Sequence, residues 1–247
     1  MTNADIQSHF DILAPFYHTT TDWVCDPAIT ALITNRVQQS PVLDVGAGPG
    51  TLMPALSQAG HSPALNLDLS LAMCVRARQG GGVAVQGAAE ALPVRSGAIG
   101  TVLCRQGLHY FDATLALAEW RRVLCPGGIA VVAQIGSTSR AQAVFWREIK
   151  SIVQPLRRLW FAAEDLPSFA SSHGWRLIDQ QYTYIDNARP ITQFFAETLH
   201  TPSERRVLLD AWKDRAPAET FFDSSDDRVF FRQYWLIWSM VPMEGAR

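Results

Sequence analysis

The sequence predicts an α/β protein whose mostly parallel sheet is covered by helices on both faces. Short apolar runs typical of strands alternate with amphipathic helical patterns from residue 41 to residue 136. A glycine-rich turn joins the first of these strands to a helix. The chain has 247 residues, of which 48% are apolar and 18% charged. This length and composition supply enough apolar material for a core on both faces of a sheet.

Two helices are predicted before the first strand. Either Asn3 or Asp5 can cap the first helix, which should end at Pro15. Asp26 is suited to the N-cap of the second helix and Pro27 to its first position, since proline lacks the N–H that would be unpaired there. We expect both helices to form part of a cap over the strand ends.

The central elements follow at regular spacing. The first strand begins at Val42, after Pro41, and later strands are predicted at 64–69, 83–86, 100–104 and 129–135. The intervening helices are predicted at 52–59, at 70–79 and from the Asp112 cap to Leu124, before the turn Pro126-Gly127-Gly128. Strands and helices that alternate in this way favour a parallel sheet.

The regular alternation of strands and helices ends after the fifth strand. An amphipathic helix is predicted over 139–160 with a kink at Pro155, and a further helix over 165–173. A sixth strand is predicted over 176–185 and a last strand over 229–240, separated by about 43 residues with two helical patterns. We expect these additional helices to complete the cap.

The glycine-rich turn VLDVGAGPGTL, residues 42–52, predicts a nucleoside site. Gly46 and Gly48 permit positive φ and let a ligand approach the backbone, while Gly50 lets the helix start close to the strand. A dinucleotide fingerprint would place its last glycine at Thr51, and a phosphate-binding P-loop would continue with Gly-Lys-Ser/Thr. The turn fits neither pattern.

Charge and cysteine content narrow the function classes. The net charge is −2 and no basic run is present, which argues against nucleic acid as the main partner. The four cysteines form no C-x-x-C pair and are expected to be reduced, mostly buried thiols. The histidines show no metal-ligand spacing, so no metal is expected. Without a leader pattern or a long apolar run, we expect a soluble cytoplasmic protein and no membrane partner.

Four motifs together resemble the class I S-adenosylmethionine-dependent methyltransferases, specifically the type 11 domain similar to ubiquinone and menaquinone C-methyltransferases. They are the D-x-G-x-G-x-G turn, NLDLSLAMC with Asp68 22 residues after Gly46, GAAEALPVRSGAIGTVLCRQGLHYFD, and EWRRVLCPGGIAVVA. The resemblance runs from about Phe10 to Ile135 and returns weakly at YWLIW. It implies a Rossmann-like fold with a seven-stranded, mostly parallel sheet, an antiparallel last strand and a helical cap.

On this basis the chain is expected to form a single methyltransferase domain. Its expected parts are N-terminal cap helices (1–40), a cofactor-binding core (41–136), substrate-cap helices (137–175 and 187–227) and the final strands (176–186 and 228–241).

The resemblance also implies the cofactor contacts. The glycine turn would hold the methionine end of S-adenosylmethionine, Asp68 the ribose, and Leu69 the adenine, while Gln106 would lie near the sulfonium and Tyr17 would cover the methionine portion. The implied cofactor-binding set is Asp44, Gly46, Ala47, Gly48, Gly50, Asp68, Leu69, Ala88, Ala89 and Gln106.

Two positions depart from the family pattern, because relatives commonly carry aspartate at the positions of Ala88 and Gly100. The change at Ala88 removes a hydrogen bond to the adenine amino group, of order 1 kcal/mol.

Several residues carry alternative interpretations. His109 and Tyr17 are the candidate catalytic residues, with His109 as a general base, yet either side chain can instead serve packing. Asp44 can bind the cofactor or cap the glycine loop. The basic face between Arg140 and Arg158 can meet an acidic substrate or a carrier protein, or simply be solvated. An aromatic cluster near the C-terminus can line a substrate pocket or alternate along a buried strand, and its members are Phe221, Phe222, Phe230, Phe231, Tyr234, Trp235 and Trp238.

We therefore expect methyl transfer from S-adenosylmethionine to carbon, oxygen or nitrogen of a small molecule, with S-adenosylhomocysteine as product. One alternative is a repurposed or non-catalytic relative that acts as a partner subunit or catalyses a different reaction. Another is a nicotinamide-dependent oxidoreductase on the related doubly wound fold. A protein partner or a homodimer is left open.

Overall fold

The computed structural model describes residues 2–17, 22–195, 201–225 and 227–245. The chain divides into two compact units. The first unit comprises Met1–Gln134, Pro167–Gln181 and Ile237–Arg247, and the second comprises Ile135–Leu166 and Tyr182–Leu236.

Two helices precede the sheet in the first unit, α1 (Asn3–Leu13) and α2 (Pro27–Thr34). Thr2, and not Asn3 or Asp5, is the N-cap of α1, because its hydroxyl accepts from the Asp5 N–H while the Asp5 carboxylate accepts from the Thr2 N–H. At α2 the prediction is confirmed, since the Asp26 carboxylate accepts from the N–H groups of Ala28 and Ile29.

The first unit contains the strands that pair with one another in parallel. Its strands are β1 (Val42–Val45), β2 (Ala64–Asp68), β3 (Ala84–Gln86) and β4 (Ile99–Arg105), and most of β5 (Leu124–Gly136). The helices between them are α3 (Met53–Gln58), α4 (Leu71–Gln79) and α5 (Ala113–Val123). Every residue of β1 and β4 is buried, as expected for strands covered on both faces. Asp112 caps α5 as predicted.

Strand β5 begins five residues before its predicted start at Ile129. Leu124 pairs with Ile99, and the register with β4 shifts between Ile99 and Thr101. The segment Pro126-Gly127-Gly128 is therefore an irregularity within the pairing with β4, where a turn before the strand was expected. Only long-range pairing can extend a strand through such a sequence, so the prediction from local signals was wrong here.

The strand order is β3-β2-β1-β4-β5-β8-β6, with β6 (Trp175–Pro190) and β8 (Arg228–Pro242) as the last long strands. The sheet is mostly parallel and its last strands are antiparallel, so the predicted class I fold is confirmed. An eighth strand, β7 (Phe222–Ser224), pairs with β8 outside this path. Three residues were too few for a periodicity signal, and the sequence did not predict it.

The second unit is built on helices α6 (Arg140–Val153), α8 (Ile191–Phe194) and α9 (Pro202–Arg215). Helix α7 (Leu166–Ser172) follows α6 in the chain. Helix α6 ends at Val153, so Pro155 follows the helix and does not kink a longer one. The core of this unit is aromatic, including Trp146, Phe194, Trp212, Phe222 and Phe231.

The aromatic residues of β8 alternate as a buried strand requires. Phe231 is 4% exposed and Trp235 is fully buried, while Phe230 and Tyr234 are partly exposed. Packing along this strand therefore accounts for the members of the cluster that lie on β8, whereas Phe221, outside β8, is 47% exposed.

Among the described residues, no helix combines the length and the apolar character that crossing a membrane would need.

Candidate functional site

A cavity lies in the first unit at the carboxyl ends of β1, β2 and β4 and beyond the end of β3. Seven of the residues singled out from the sequence line it: Tyr17, Gly46, Gly48, Asp68, Leu69, Ala89 and Gln106. In open α/β sheets, ligands bind at this edge of the strands. The sequence interpretation and the cavity therefore point to the same place.

The glycine loop after β1 is held against the end of β2. The N–H groups of Gly46 and Ala47 donate to the Leu67 carbonyl at 2.8 and 3.0 Å. Gly46 and Gly48 have φ of +71° and +58°, in the left-handed region that favours glycine. A Cβ on Gly48 would lie 3.8 Å from Cζ of Tyr17, so the tyrosine ring lies beside this loop.

The Asp68 carboxylate accepts hydrogen bonds from two backbone N–H groups. Its Oδ2 accepts from the Gly48 N–H and its Oδ1 from the Ser70 N–H, each at 2.8 Å. A carboxylate has about four acceptor positions, so each oxygen can still accept one ribose hydroxyl. Burial raises the pKa of Asp68 to about 6, while the bonds from Ser70 and Gly48 oppose that rise. The group fits the ribose end of a nucleoside.

Asp44 lies in β1 and does not line the cavity. It is 1% exposed, and its Oδ1 has no hydrogen-bond partner among the residues that the structure describes. Burial raises its pKa to about 7; the charge of Arg105 lowers it and that of Asp68 raises it further. Its predicted contact with the cofactor stays a prediction.

Arg105, at the end of β4, lines the cavity and was not predicted as a site residue. It is 7% exposed, and its guanidinium donates to the Val24 carbonyl at 2.8 Å and to the Thr51 hydroxyl. A buried cation needs partners, and a ligand carboxylate would be a suitable one. The available signal was an arginine ending a strand that is otherwise mostly apolar, IGTVLCR.

Gln106 is the one non-glycine residue with positive φ, +58°, in the described part of the chain. Such backbone strain is often found at functional sites. The Gln134 amide nitrogen donates to Gln106 Oε1 at 3.0 Å and contacts His109 Nδ1. The Gln106 Nε2 group is buried and has no hydrogen-bond partner among the described residues.

His109 is not among the residues that line the cavity. It belongs to a short 3₁₀ turn, Leu108–Tyr110, and is 1% exposed. Because Nδ1 faces the Gln134 amide nitrogen, this contact favours the tautomer with the proton on Nε2. Tyr110 lines the cavity, and its ring centroid is 4.1 Å from that of His109. Its role as a general base stays a prediction.

Three further predicted positions also lie outside the cavity lining: Ala47, Gly50 and Ala88. Ala47 is buried, and a Cβ on Gly50 would come within 3.1 Å of Ala77 Cβ in α4. Ala88 forms a bridge with Ala91.

Packing explains why this chain has glycine at position 100, where relatives commonly carry aspartate. A Cβ at Gly100 would lie 2.8 Å from the backbone carbonyl oxygen of Gln39. An aspartate would not fit this backbone without a shift, which explains the glycine at this position.

The remaining cavity wall comes from residues that the sequence did not single out for the site. Asn3, Ile6 and Phe10 come from α1, Met73 from α4, Glu90 follows β3, and Phe111 precedes α5. For the residues of α1 and α4 local sequence carried no signal, since their approach depends on how α1 packs on α4.

The comparisons with known proteins agree with this geometry. The family model described as a methyltransferase domain matches residues 43–132. An uncharacterized methyltransferase of Mycobacterium tuberculosis is 36% identical over 88 residues, which are 35% of this chain and 36% of that protein. The chain therefore matches about a third of the length of this curated relative.

Two solved structures share the fold. A geranyl diphosphate methyltransferase in complex with S-adenosylmethionine aligns with a TM-score of 0.57 and 14% identity, covering 87% of this chain and 85% of that one. The [4+2]-cyclase SpnF aligns with a TM-score of 0.66 and 17% identity, covering 99% and 98%. The resemblance stated from the sequence is confirmed, and S-adenosylmethionine is the cofactor of this class.

Proposed function

Because residues 43–132 belong to the methyltransferase domain family, we propose that this protein transfers a methyl group from S-adenosylmethionine to a small-molecule acceptor. The observation that carries the proposal is the position of Asp68. Its carboxylate is bound to the glycine loop through Gly48 and faces the same cavity as Gly46 and Gln106. A ribose at Asp68 would place the sulfur end toward the loop and the end of β4.

When bound, S-adenosylmethionine supplies a methyl group on a sulfonium that leaves as a neutral thioether. The chain's own residues need to bind, orient and exclude water. Arg105 supplies a positive charge for the methionine carboxylate, and the glycine loop lets the backbone approach. Phe10, Tyr17 and Phe111 add aromatic surface that keeps water from the cavity.

The acceptor class is inferred from what the chain lacks and from the cavity walls. The net charge of −2 leaves no excess of cations for a nucleic acid backbone. The aromatic and amide side chains of the cavity wall suit a small organic molecule, with carbon, oxygen or nitrogen as the methylated atom. A protein partner or a homodimer is compatible with this function.

The test is calorimetric titration of the protein with S-adenosylhomocysteine, S-adenosylmethionine and NADH. We expect both sulfur nucleosides to bind and NADH not to bind. In Asp68→Ala, two hydrogen bonds from ribose to a charged acceptor are lost, each worth about 1.5–3 kcal/mol. Affinity should therefore fall by about 10²-fold or more.

The matched control is Asp210→Ala, since Asp210 is an exposed acid in α9 of the second unit. Thermal unfolding and circular dichroism of both variants verify folding. Unchanged affinity in Asp68→Ala, or the absence of nucleoside binding in the wild type, would refute the proposal. Tight NADH binding in its place would favour an oxidoreductase.

A second candidate is a repurposed protein that keeps the nucleoside site and catalyses another reaction. The substitution at Ala88 and the fold shared with a [4+2]-cyclase favour it. Methyl-labelled S-adenosylmethionine incubated with cell extract separates the two. Label in a small molecule supports transfer, whereas tight binding without transfer supports the second candidate.

A further inference from the structure

Asp11 links helix α1 to the N-terminus of α4. Its Oδ1 accepts from the Ser70 hydroxyl at 2.5 Å and from the Ala72 N–H at 3.1 Å. The Ser70 hydroxyl oxygen is itself the local cap of α4, since it accepts from the Met73 N–H at 3.1 Å. Helix α4 is therefore capped a second time by an aspartate 59 residues before Ser70, and the function proposed above gives this contact no role.

The same hydrogen bonds reach the carboxylate at the cavity. Ser70 donates its N–H to Asp68 Oδ1 and its hydroxyl to Asp11, and it is fully buried. Burial is the main cause of the raised pKa of Asp68, and the charge of Asp11 raises it further. Two carboxylates held by one serine repel each other, so this contact has an electrostatic cost that a neutral cap would avoid.

Helix α1 is also a wall of the cavity. Three of its residues line it: Asn3, Ile6 and Phe10. The Phe10 ring packs edge to face on that of Tyr110, with centroids 5.1 Å apart, and the Asn3 amide is 3.5 Å from a carboxylate oxygen of Glu90, at the limit of a hydrogen bond. Of these polar contacts of α1, those of Asp11 are the stronger, because they are shorter and their acceptor is charged.

A nucleoside bound at Asp68 would contact α1 on one side and the strand ends on the other, since both line the cavity. This step rests on the proposed function. Contacts on both sides must break before the ligand leaves, so whatever holds α1 in place also holds the ligand. The effect is reciprocal: if the bonds of Asp11 favour the bound state, the ligand favours those bonds by the same factor.

We propose that Asp11 is a positioning residue for the nucleoside: its bonds to Ser70 and Ala72 hold α1 against the cavity and slow the release of the ligand. Asp11 does not line the cavity. It therefore acts through α1 and through Ser70, which also orients Asp68, and makes no contact with the ligand itself.

The first test measures the dissociation rate of S-adenosylhomocysteine by surface plasmon resonance at pH 8, where Asp68 is ionised with or without the charge of Asp11. In Asp11→Ala we expect this rate to rise at least tenfold, since hydrogen bonds to a charged acceptor are lost. Asp11→Asn keeps an acceptor oxygen for the same bonds, so its rate should be at least threefold slower than that of Asp11→Ala.

The matched control is Asp26→Ala. The Asp26 carboxylate also accepts two hydrogen bonds at the start of a helix, from the N–H groups of Ala28 and Ile29, and it lies in the same unit outside the cavity lining. Its substitution should lower stability and leave the dissociation rate unchanged. Circular dichroism verifies that all three variants fold.

A measurement on the wild type alone covers the case in which Asp11→Ala does not fold. The Ala72 N–H in α4 donates to Asp11, and the Ala28 N–H in α2 donates to Asp26, so both report on a first-turn bond to an aspartate. Saturation with S-adenosylhomocysteine should slow the hydrogen exchange of the Ala72 N–H at least tenfold, by nuclear magnetic resonance, and leave that of Ala28 unchanged.

Three results would overturn the role of Asp11. They are an unchanged dissociation rate in folded Asp11→Ala, equal rates in Asp11→Asn and Asp11→Ala, and exchange of the Ala72 N–H that does not respond to the ligand. An equal acceleration in Asp26→Ala would show that general destabilisation is the cause and would overturn it as well. If no nucleoside binds the wild type, the proposed function itself fails.

Discussion

Asp44 makes the stability of the unliganded protein depend on pH in an unusual direction. Burial raises its folded-state pKa from 3.8 to about 7, although Arg105 opposes that rise. The folded protein therefore binds more protons than the unfolded chain between about pH 4 and pH 7. The stability that the raised pKa of Asp44 contributes is fully present below pH 4 and is lost as the pH rises through 7.

The magnitude follows from the difference between the two pKa values. One pH unit corresponds to about 1.36 kcal/mol, so ionising Asp44 in the folded state costs about 4 kcal/mol by pH 8. By pH 5 the loss of folding stability from the raised pKa of Asp44 is about 1.5 kcal/mol. Asp44→Asn has a similar shape and cannot ionise, so it should be more stable than the wild type, and the difference should grow by about 2–3 kcal/mol from pH 5 to pH 8.

Urea unfolding followed by tryptophan fluorescence at pH 5, 6, 7 and 8 measures this difference without ligand. Asp210→Asn is the control, since Asp210 is an exposed aspartate and should give the same stability as the wild type throughout. A pH-independent difference for Asp44→Asn, or a variant that is less stable than the wild type at pH 8, would refute the reasoning.

Two further predictions concern the cavity. The pKa of Asp68 in the free protein is about 6, and only its ionised form can accept from both ribose hydroxyls. Affinity for S-adenosylhomocysteine should therefore be constant above pH 7 and fall below pH 6 by up to about tenfold per pH unit. Calorimetry in the Asp44→Asn background isolates this titration, and a flat profile would contradict it. Gly46→Ala should destabilise the protein more than Gly60→Ala in urea unfolding. Both glycines have positive φ, which costs an alanine about 1–2 kcal/mol at either position. Only at Gly46 would the added Cβ also meet Phe111, at 3.0 Å. Equal losses would show that this contact has no energetic effect.

Local sequence was sufficient where the determinant is local. The Asp26 and Asp112 caps are formed by hydrogen bonds to N–H groups two or three residues later, so their prediction needed no tertiary information. Helix α6 shows the limit of the same approach. Its apolar periodicity continues past Val153, yet the helix ends there, because the residue before a proline avoids helical geometry.

For the candidate site, the sequence by itself determined the glycine loop and the carboxylate at Asp68. Positive φ at Gly46 and Gly48 is a property of individual residues, and a charge at the end of a strand lies at the same edge of a parallel sheet whatever surrounds it. The tertiary structure alone decided that Glu90 and Asn3 meet at the cavity, 87 residues apart in sequence, and that His109 lies outside its lining. Contacts between distant segments depend on how helices pack on the sheet, and no local periodicity encodes that packing.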